Sequence, residues 1–267
     1  MLGSAEGTIT SGGVDYKYHV VCTAKLPAVY ITTESGSMDA VHADKSYKEA
    51  GTIRIYNEKG KTEYDGALDY IKGRGNSSWE MAKKPYNIKI AKKTNLFGMG
   101  KSKKWSLIAN YSDNSHLRNA AVYYAAQQIG LDYTPKFVFC DVYTNGDYQG
   151  VYLLITRIEA NSKRVDVANL DDVNEEIAIA ASGNEDLDMD SLPQGGAYGR
   201  FAGLIEGTKK WVEIPEAPEG YTVDNTGGYI LEMELANRYY GEKSGFVTTR
   251  SQPITMKSPE YASQAQM

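Results

Sequence analysis

Apolar and polar positions alternate along much of this chain, and the alternation predicts strands. Residues 26 to 33 (Leu-Pro-Ala-Val-Tyr-Ile-Thr-Thr) and 51 to 57 (Gly-Thr-Ile-Arg-Ile-Tyr-Asn) are rich in β-branched and aromatic side chains, and the second run alternates cleanly. Asn57-Glu58-Lys59-Gly60 is a turn signal, strand character resumes over Ala67 to Lys72, and the glycines of Gly73-Arg74-Gly75 interrupt it. In Pro85 to Ile90 the side chains of Tyr86, Ile88 and Ile90 fall on one side and those of Asn87 and Lys89 on the other. Trp105 to Ala109 is a further short strand, and together these runs predict an antiparallel meander.

The period then changes. Leu117, Ala121, Tyr124, Ala125 and Gln128 recur at helical spacing after Ser112-Asp113-Asn114-Ser115, any of which can cap, and Gly130 is a natural stop. A helix is predicted over about 115–129. Lys136 to Tyr143 and Gly150 to Ile155 flank Asn145-Gly146, whose residues both tolerate positive φ, so a hairpin follows. Residues 169 to 225 are acidic and Gly-rich and read as a variable insertion, with short strands around Phe201 to Ile205 and Lys210 to Ile214. Strand character returns at Tyr229 to Leu235 and at Phe246 to Thr249. Ser258-Pro259-Glu260 has the cap, proline and acid of a helix start, so residues 258 to 267 read as the beginning of a helix cut short.

Composition changes this picture little. With 267 residues the chain can bury a core without a metal or a disulfide. The 21 Tyr against 5 Phe favour aromatics that tolerate a wet edge, in keeping with half-exposed sheets. A formal net charge of -5 argues against nucleic-acid binding, although lysines crowd the stretch from Lys83 to Lys104 while Asp171 to Asp190 is acidic. Solvated faces are the default reading of both patches. Cys22 and Cys140 are compatible with one disulfide or with two separate thiols. No run approaches the roughly 20 apolar residues of a membrane span, and Met1-Leu2-Gly3-Ser4 lacks the pattern of a signal peptide.

Three places could hold an anion. Lys83 and Lys84, with Lys89 further along the same strand, could hold a phosphate as point charges, or they could be ordinary solvated lysines. Gly73-Arg74-Gly75-Asn76-Ser77-Ser78-Trp79 lets backbone and an arginine approach an anion, or it is a structural turn with Trp79 tucked into the core. It lacks the ending of a Walker loop. The loop from Asn110 leads into a helix N-terminus where Arg118 could add charge for an anion, or pair with a nearby carboxylate after ordinary capping. His19, His42 and His116 have no metal-ligand spacing, whereas Glu232 with Glu234, and Asp186, Asp188 and Asp190, could hold a cation or be solvated surface.

Taken in order, Arg74-Gly75-Asn76-Ser77-Ser78-Trp79, Lys83-Lys84-Pro85-Tyr86-Asn87-Ile88, Leu96-Phe97-Gly98-Met99, Trp105-Ser106-Leu107 with Ala109-Asn110-Tyr111, Leu117-Arg118-Asn119, and Gly150-Val151-Tyr152-Leu153-Leu154 resemble the motif series of the CotH family of atypical protein kinases. The likeness runs from about Leu26 to about Lys257, after an N-terminal extension of residues 1 to 25. It implies an α+β fold, mainly an antiparallel sheet like an atypical kinase small lobe with one long helix, the catalytic lobe being largely absent from the chain. It also implies ATP and Mg as cofactors, Ser of a secreted or coat protein as substrate, and an extracellular, cell-surface or spore-coat location. By resemblance Lys84 is the phosphate-contacting lysine, Lys83 and Lys89 are neighbours that could take the role, and Arg74 and Arg118 are further nucleotide contacts. The family's metal-holding carboxylates are expected downstream of Met267, which would leave this fragment inactive.

Two departures stand out. The strand continues as Ile155-Thr156-Arg157 where many relatives carry an acid, and the helix contains no acid to pair with a lysine. The competing readings are a surface adhesion module that recognises protein or glycan, and a structural coat protein with a decayed site.

Overall fold

A computed structural model describes residues 3–22, 26–197, 209–221 and 225–267. The chain divides into two compact units, Met1–Ile158 and Glu159–Met267. Among the described residues no helix is long and apolar enough to cross a membrane.

The first unit opens with a hairpin of β1 (Gly3–Ser11) and β2 (Val14–Cys22), in the segment that reads from sequence as an extension. Its body is a closed barrel. The strands are β3 (Ala28–Thr33), β4 (Glu49–Tyr56), β5 (Thr62–Gly73), β6 (Tyr86–Thr94), β7 (Ser102–Ile108), β8 (Phe137–Thr144) and β9 (Asp147–Thr156). A short helix α1 (Asp39–Ala43) follows β3, and α2 (Arg118–Gln128) links β7 to β8. Around the barrel the order is β3-β4-β5-β6-β7-β9-β8, antiparallel throughout except where β8 meets β3 in parallel, Val29 opposite Val142. The mixed, mostly antiparallel character expected from the alternation holds, and the sheet that the local pattern leaves open is closed upon itself.

Alternation builds the barrel core. Ile53 and Ile55 of β4, Ile88 and Ile90 of β6, and Leu107 and Leu154 all point inward and are fully buried. Residues one position away point outward, and α2 covers part of that outer face, packing Ala120 and Tyr123 against Leu153, Ile155 and Phe137. The helix is shorter than 115–129 and is turned relative to the pattern: Leu117 and Tyr124 are exposed, and the small Ala120 makes the closest approach. Asp113 sets its start, accepting the backbone N–H groups of Ser115 and Arg118 at 3.1 and 2.8 Å.

The second unit holds α3 (Leu170–Ser182), β10 (Gln194–Ala197), β11 (Lys209–Val212), β12 (Ile230–Met233), α4 (Ala236–Tyr239), β13 (Gly245–Val247) and β14 (Pro253–Ser258). Its sheet runs β10-β11-β13-β14-β12, and each pair is antiparallel. The expected strands around Lys210, Tyr229 and Phe246 are present in shortened form, and the one around Phe201 lies outside the described residues. The acidic stretch contains a helix that its composition hides. Asn169 caps α3, Asp171 and Asp172 occupy the first turn, and Gly183 ends it with φ 68°.

The C-terminal stretch differs from expectation. No α-helix begins at Ser258, which is the last residue of β14; its hydroxyl donates to Asp171 at 2.8 Å, and the N–H of Glu260 donates to the same carboxylate at 2.5 Å. A residue set that resembles a cap and first turn serves as an anchor instead. Only a short 3-10 turn, Gln264–Gln266, follows.

Candidate functional site

The cations singled out in the sequence are distributed over separate places. Lys83 donates to the carbonyl of Val151 and lies 4.4 Å from the centre of the Tyr152 ring. Burial holds its ammonium below the ordinary lysine value. Lys84 donates to the carbonyl of Trp79, 5.1 Å above that ring, and its own carbonyl accepts the Tyr152 hydroxyl at 2.9 Å. Around them Trp79, Tyr86 and Tyr152 form a continuous aromatic row, closed by His42 of α1, whose Nε2 shares a 2.8 Å hydrogen bond with the Tyr86 hydroxyl. Burial, then the charge of Lys84, lowers the His42 pKa. Both ammonium groups are thus turned onto backbone and rings, and the segment before β6 is tied to β9 by the Lys83 ammonium and the Lys84 carbonyl.

Lys89 points outward from β6 and pairs with Asp69 of β5 at 3.3 Å. Arg118 stands at the start of α2 with its side chain largely in solvent, 3.8 Å from Asp113. In the glycine turn Trp79 is buried in the barrel core, and a side chain at Gly73 would meet its ring at 2.6 Å. The structural reading of the turn therefore holds for Trp79, whereas Arg74, one residue past the end of β5, is oriented the other way, toward α2.

That orientation creates a second arrangement, on the outer face of the barrel. Arg74 is half-buried, and its guanidinium is held below its usual pKa by burial, with Tyr123 of α2 acting in the opposite sense and Arg157 adding to the depression. Arg157 follows the end of β9. Between the two arginines lie β6 and β7, and the register offsets them along the strands as well, since Gly73 shares a row with Tyr86, Leu107 and Leu154 whereas Thr156 shares one with Trp105, Ile88 and Ile71. The surface between them is set by register: Lys72 opposite Asn87, Asn87 opposite Ser106, Ser106 opposite Ile155. Ser106 donates to the Asn87 side-chain carbonyl oxygen at 2.6 Å, which leaves the Asn87 amide N–H groups as donors on the same face.

No carboxylate of a described residue pairs with Arg74 or Arg157. The positive charge of Arg157 acts unfavourably on the partly desolvated Arg74 guanidinium, and an anion with several oxygens would offset that by accepting forked N–H donors. Arg157, Asn87, Ser106 and Tyr123 were not singled out in the sequence. The signal was present for the first three, since strand alternation places them on one face; Tyr123 needed the helix to be docked.

The acidic candidates lie in the second unit and serve local structure. Glu232 pairs with Lys257 at 3.3 Å, and Glu234 is buried, accepting the N–H of Leu235 at 2.8 Å and facing Arg238. Asp188 accepts the N–H of Asp190, and Asp190 pairs with Lys243. Among the described residues no three His, Cys, Asp or Glu side chains come together as a metal site. Cys140 is a free thiol buried in the barrel, and the side chain of Cys22 lies outside the described residues.

Compared with known proteins, residues 71–197 match the model of the family described as CotH kinase protein. The match begins in β5 and runs past the end of the first unit to the last residue of β10. No curated protein matches the chain.

Proposed function

We propose that the outer face of the barrel, between α2 and the ends of β5 and β9, binds the phosphate tail of ATP, and that the chain carries the nucleotide-gripping part of a CotH-type kinase acting on Ser of secreted or coat proteins. What supports this is the partly buried Arg74 guanidinium, which has no carboxylate partner among the described residues and is acted on by the charge of Arg157, on the face that also carries the Asn87 amide and within the span that the CotH family model matches. A triphosphate brings negative oxygens to a place where Arg74 is kept partly out of water and the charge of Arg157 adds to its cost. Preorganised charge of this kind is what phosphoryl transfer requires, since the reaction is governed by positioning and electrostatics.

The residues fit the phosphates better than they fit the metal. Guanidinium and amide donors match phosphate oxygens, while the described residues gather no carboxylate set for Mg, so no step is assigned to a metal here. Lys89, tied to Asp69 on the same face, is within reach as a further cation once that pair opens. Lys83 and Lys84 act in this reading as supports that fix β6 against β9.

Calorimetric titration with Mg-ATP tests the assignment. Charge-assisted hydrogen bonds are worth about 1.5–3 kcal/mol each, so Arg74→Met and Arg157→Met should each weaken binding by roughly 10- to 100-fold. Lys84→Ala should have a smaller effect, because its ammonium is engaged by Trp79. Unchanged affinity in both arginine variants would remove the site from this face.

A further inference from the structure

A different part of the barrel's outer surface, formed by β3, β4, β8 and β9, carries a feature that phosphate binding does not use. Tyr30 of β3 stacks on Tyr143 of β8 with ring centres 4.7 Å apart and planes at 14°. Tyr148 of β9 leans against Tyr143 at 5.1 Å, and Tyr56 of β4 meets Tyr30 edge-on at 6.0 Å. Tyr30 and Tyr148 remain 42% and 52% exposed, so the group of rings reaches solvent. Beneath it lies Asp141, two residues before Tyr143 on the same face of β8 and only 1% exposed.

The bonding of Asp141 is incomplete. Its Oδ1 accepts the Tyr148 hydroxyl at 2.7 Å, and its Oδ2 is buried with no hydrogen-bond partner. No described lysine, arginine or histidine pairs with it. A carboxylate removed from water without a cation is among the costliest arrangements a fold can keep. Its field extends into the ring cluster: burial first, with Asp141 contributing, raises the phenol pKa of both Tyr30 and Tyr143. A buried carboxylate under partly exposed aromatic rings is complementary to one chemical class, because the rings and the carboxylate both attract an organic cation.

We propose that the cluster of Tyr30, Tyr143 and Tyr148 over Asp141 is a binding site for an organic ammonium group, of the kind a lysine side chain presents. The ammonium reaches Oδ2 by displacing the Tyr148 ring, which stands where the register of β8 and β9 shifts between Val142 and Tyr143. Neutral sugars or apolar segments would use the rings and leave the carboxylate unmatched.

The full chain is titrated by calorimetry with a lysine-rich peptide, with the same peptide acetylated on its lysines, and with spermidine. Binding of the lysine peptide and not of the acetylated one is expected; spermidine binding as well would identify any amine as a ligand, and its absence a polypeptide. Asp141→Asn keeps the shape and an acceptor for Tyr148. It should weaken binding at least tenfold while raising the melting temperature of the ligand-free protein, since it removes an unmatched charge. Should that variant fail to fold, Tyr30→Leu at the exposed rim should weaken binding several-fold. Equal binding of the two peptides, no binding of either, or a lower melting temperature for ligand-free Asp141→Asn would overturn the proposal.

Discussion

Lys210 of β11 is fully enclosed in the second unit, its ammonium donating to the backbone carbonyls of Tyr239 and Glu242 and lying 4.7 Å from the centre of the Tyr239 ring. Burial lowers its pKa to about 8, with Glu242 acting against the shift and Lys243 reinforcing it. In an unfolded chain the same group titrates near about 10.4. Between these values the unfolded state holds a proton that the folded state has released, so stability of this unit rises with pH across that window and levels off below about 8, where both states are charged. Urea unfolding at pH 7, 8, 9 and 10 should therefore show a rising contribution in the wild type that is missing from Lys210→Met. Parallel pH profiles for the two proteins would contradict it. In sequence Lys210 is one lysine in a short predicted strand; nothing local marks it as enclosed.

At the scale of elements, β4 shows how a strand readable from alternation still depends on its neighbour. Ile53 and Ile55 face inward as the pattern predicts, but Gly51 is required by β3, since a Cβ there would lie 2.1 Å from the carbonyl oxygen of Thr32. Gly51→Ala should destabilise the barrel by about 1–3 kcal/mol, seen as a loss of several degrees in the melting temperature. A wild-type melting temperature in that variant would show that the two strands yield easily. The hairpin at Asn145-Gly146 was legible from its two residues alone, and both adopt positive φ. Its further role was not: the Asn145 side chain accepts the N–H of Thr33 at 2.9 Å, tying the turn to β3. The helix α2 was legible as a helix, but its buried face was not, because the side that packs is chosen by Leu153 and Ile155.

At the scale of the whole molecule, the barrel closes through β3 and β8, where Ala28 to Ile31 pair in parallel with Asp141 to Thr144. Because that closure and its core lie within Met1–Ile158, a protein of residues 1–158 should unfold cooperatively and retain the β-type circular dichroism of the barrel; a non-cooperative transition would mean that the first unit needs the second. The sequence by itself determined the presence of the barrel strands β3 to β9, the existence of α2, the hairpin and the family resemblance, because each rests on residues close together in the chain, where side-chain period and turn chemistry act directly. Tertiary structure alone decided the closure of the sheet, the inward turn of Lys83 and Lys84, and the placing of Arg74 where the charge of Arg157 acts on it. Those outcomes depend on the order in which strands become neighbours in space, and hydrogen-bond register across the barrel, rather than any local pattern, sets that.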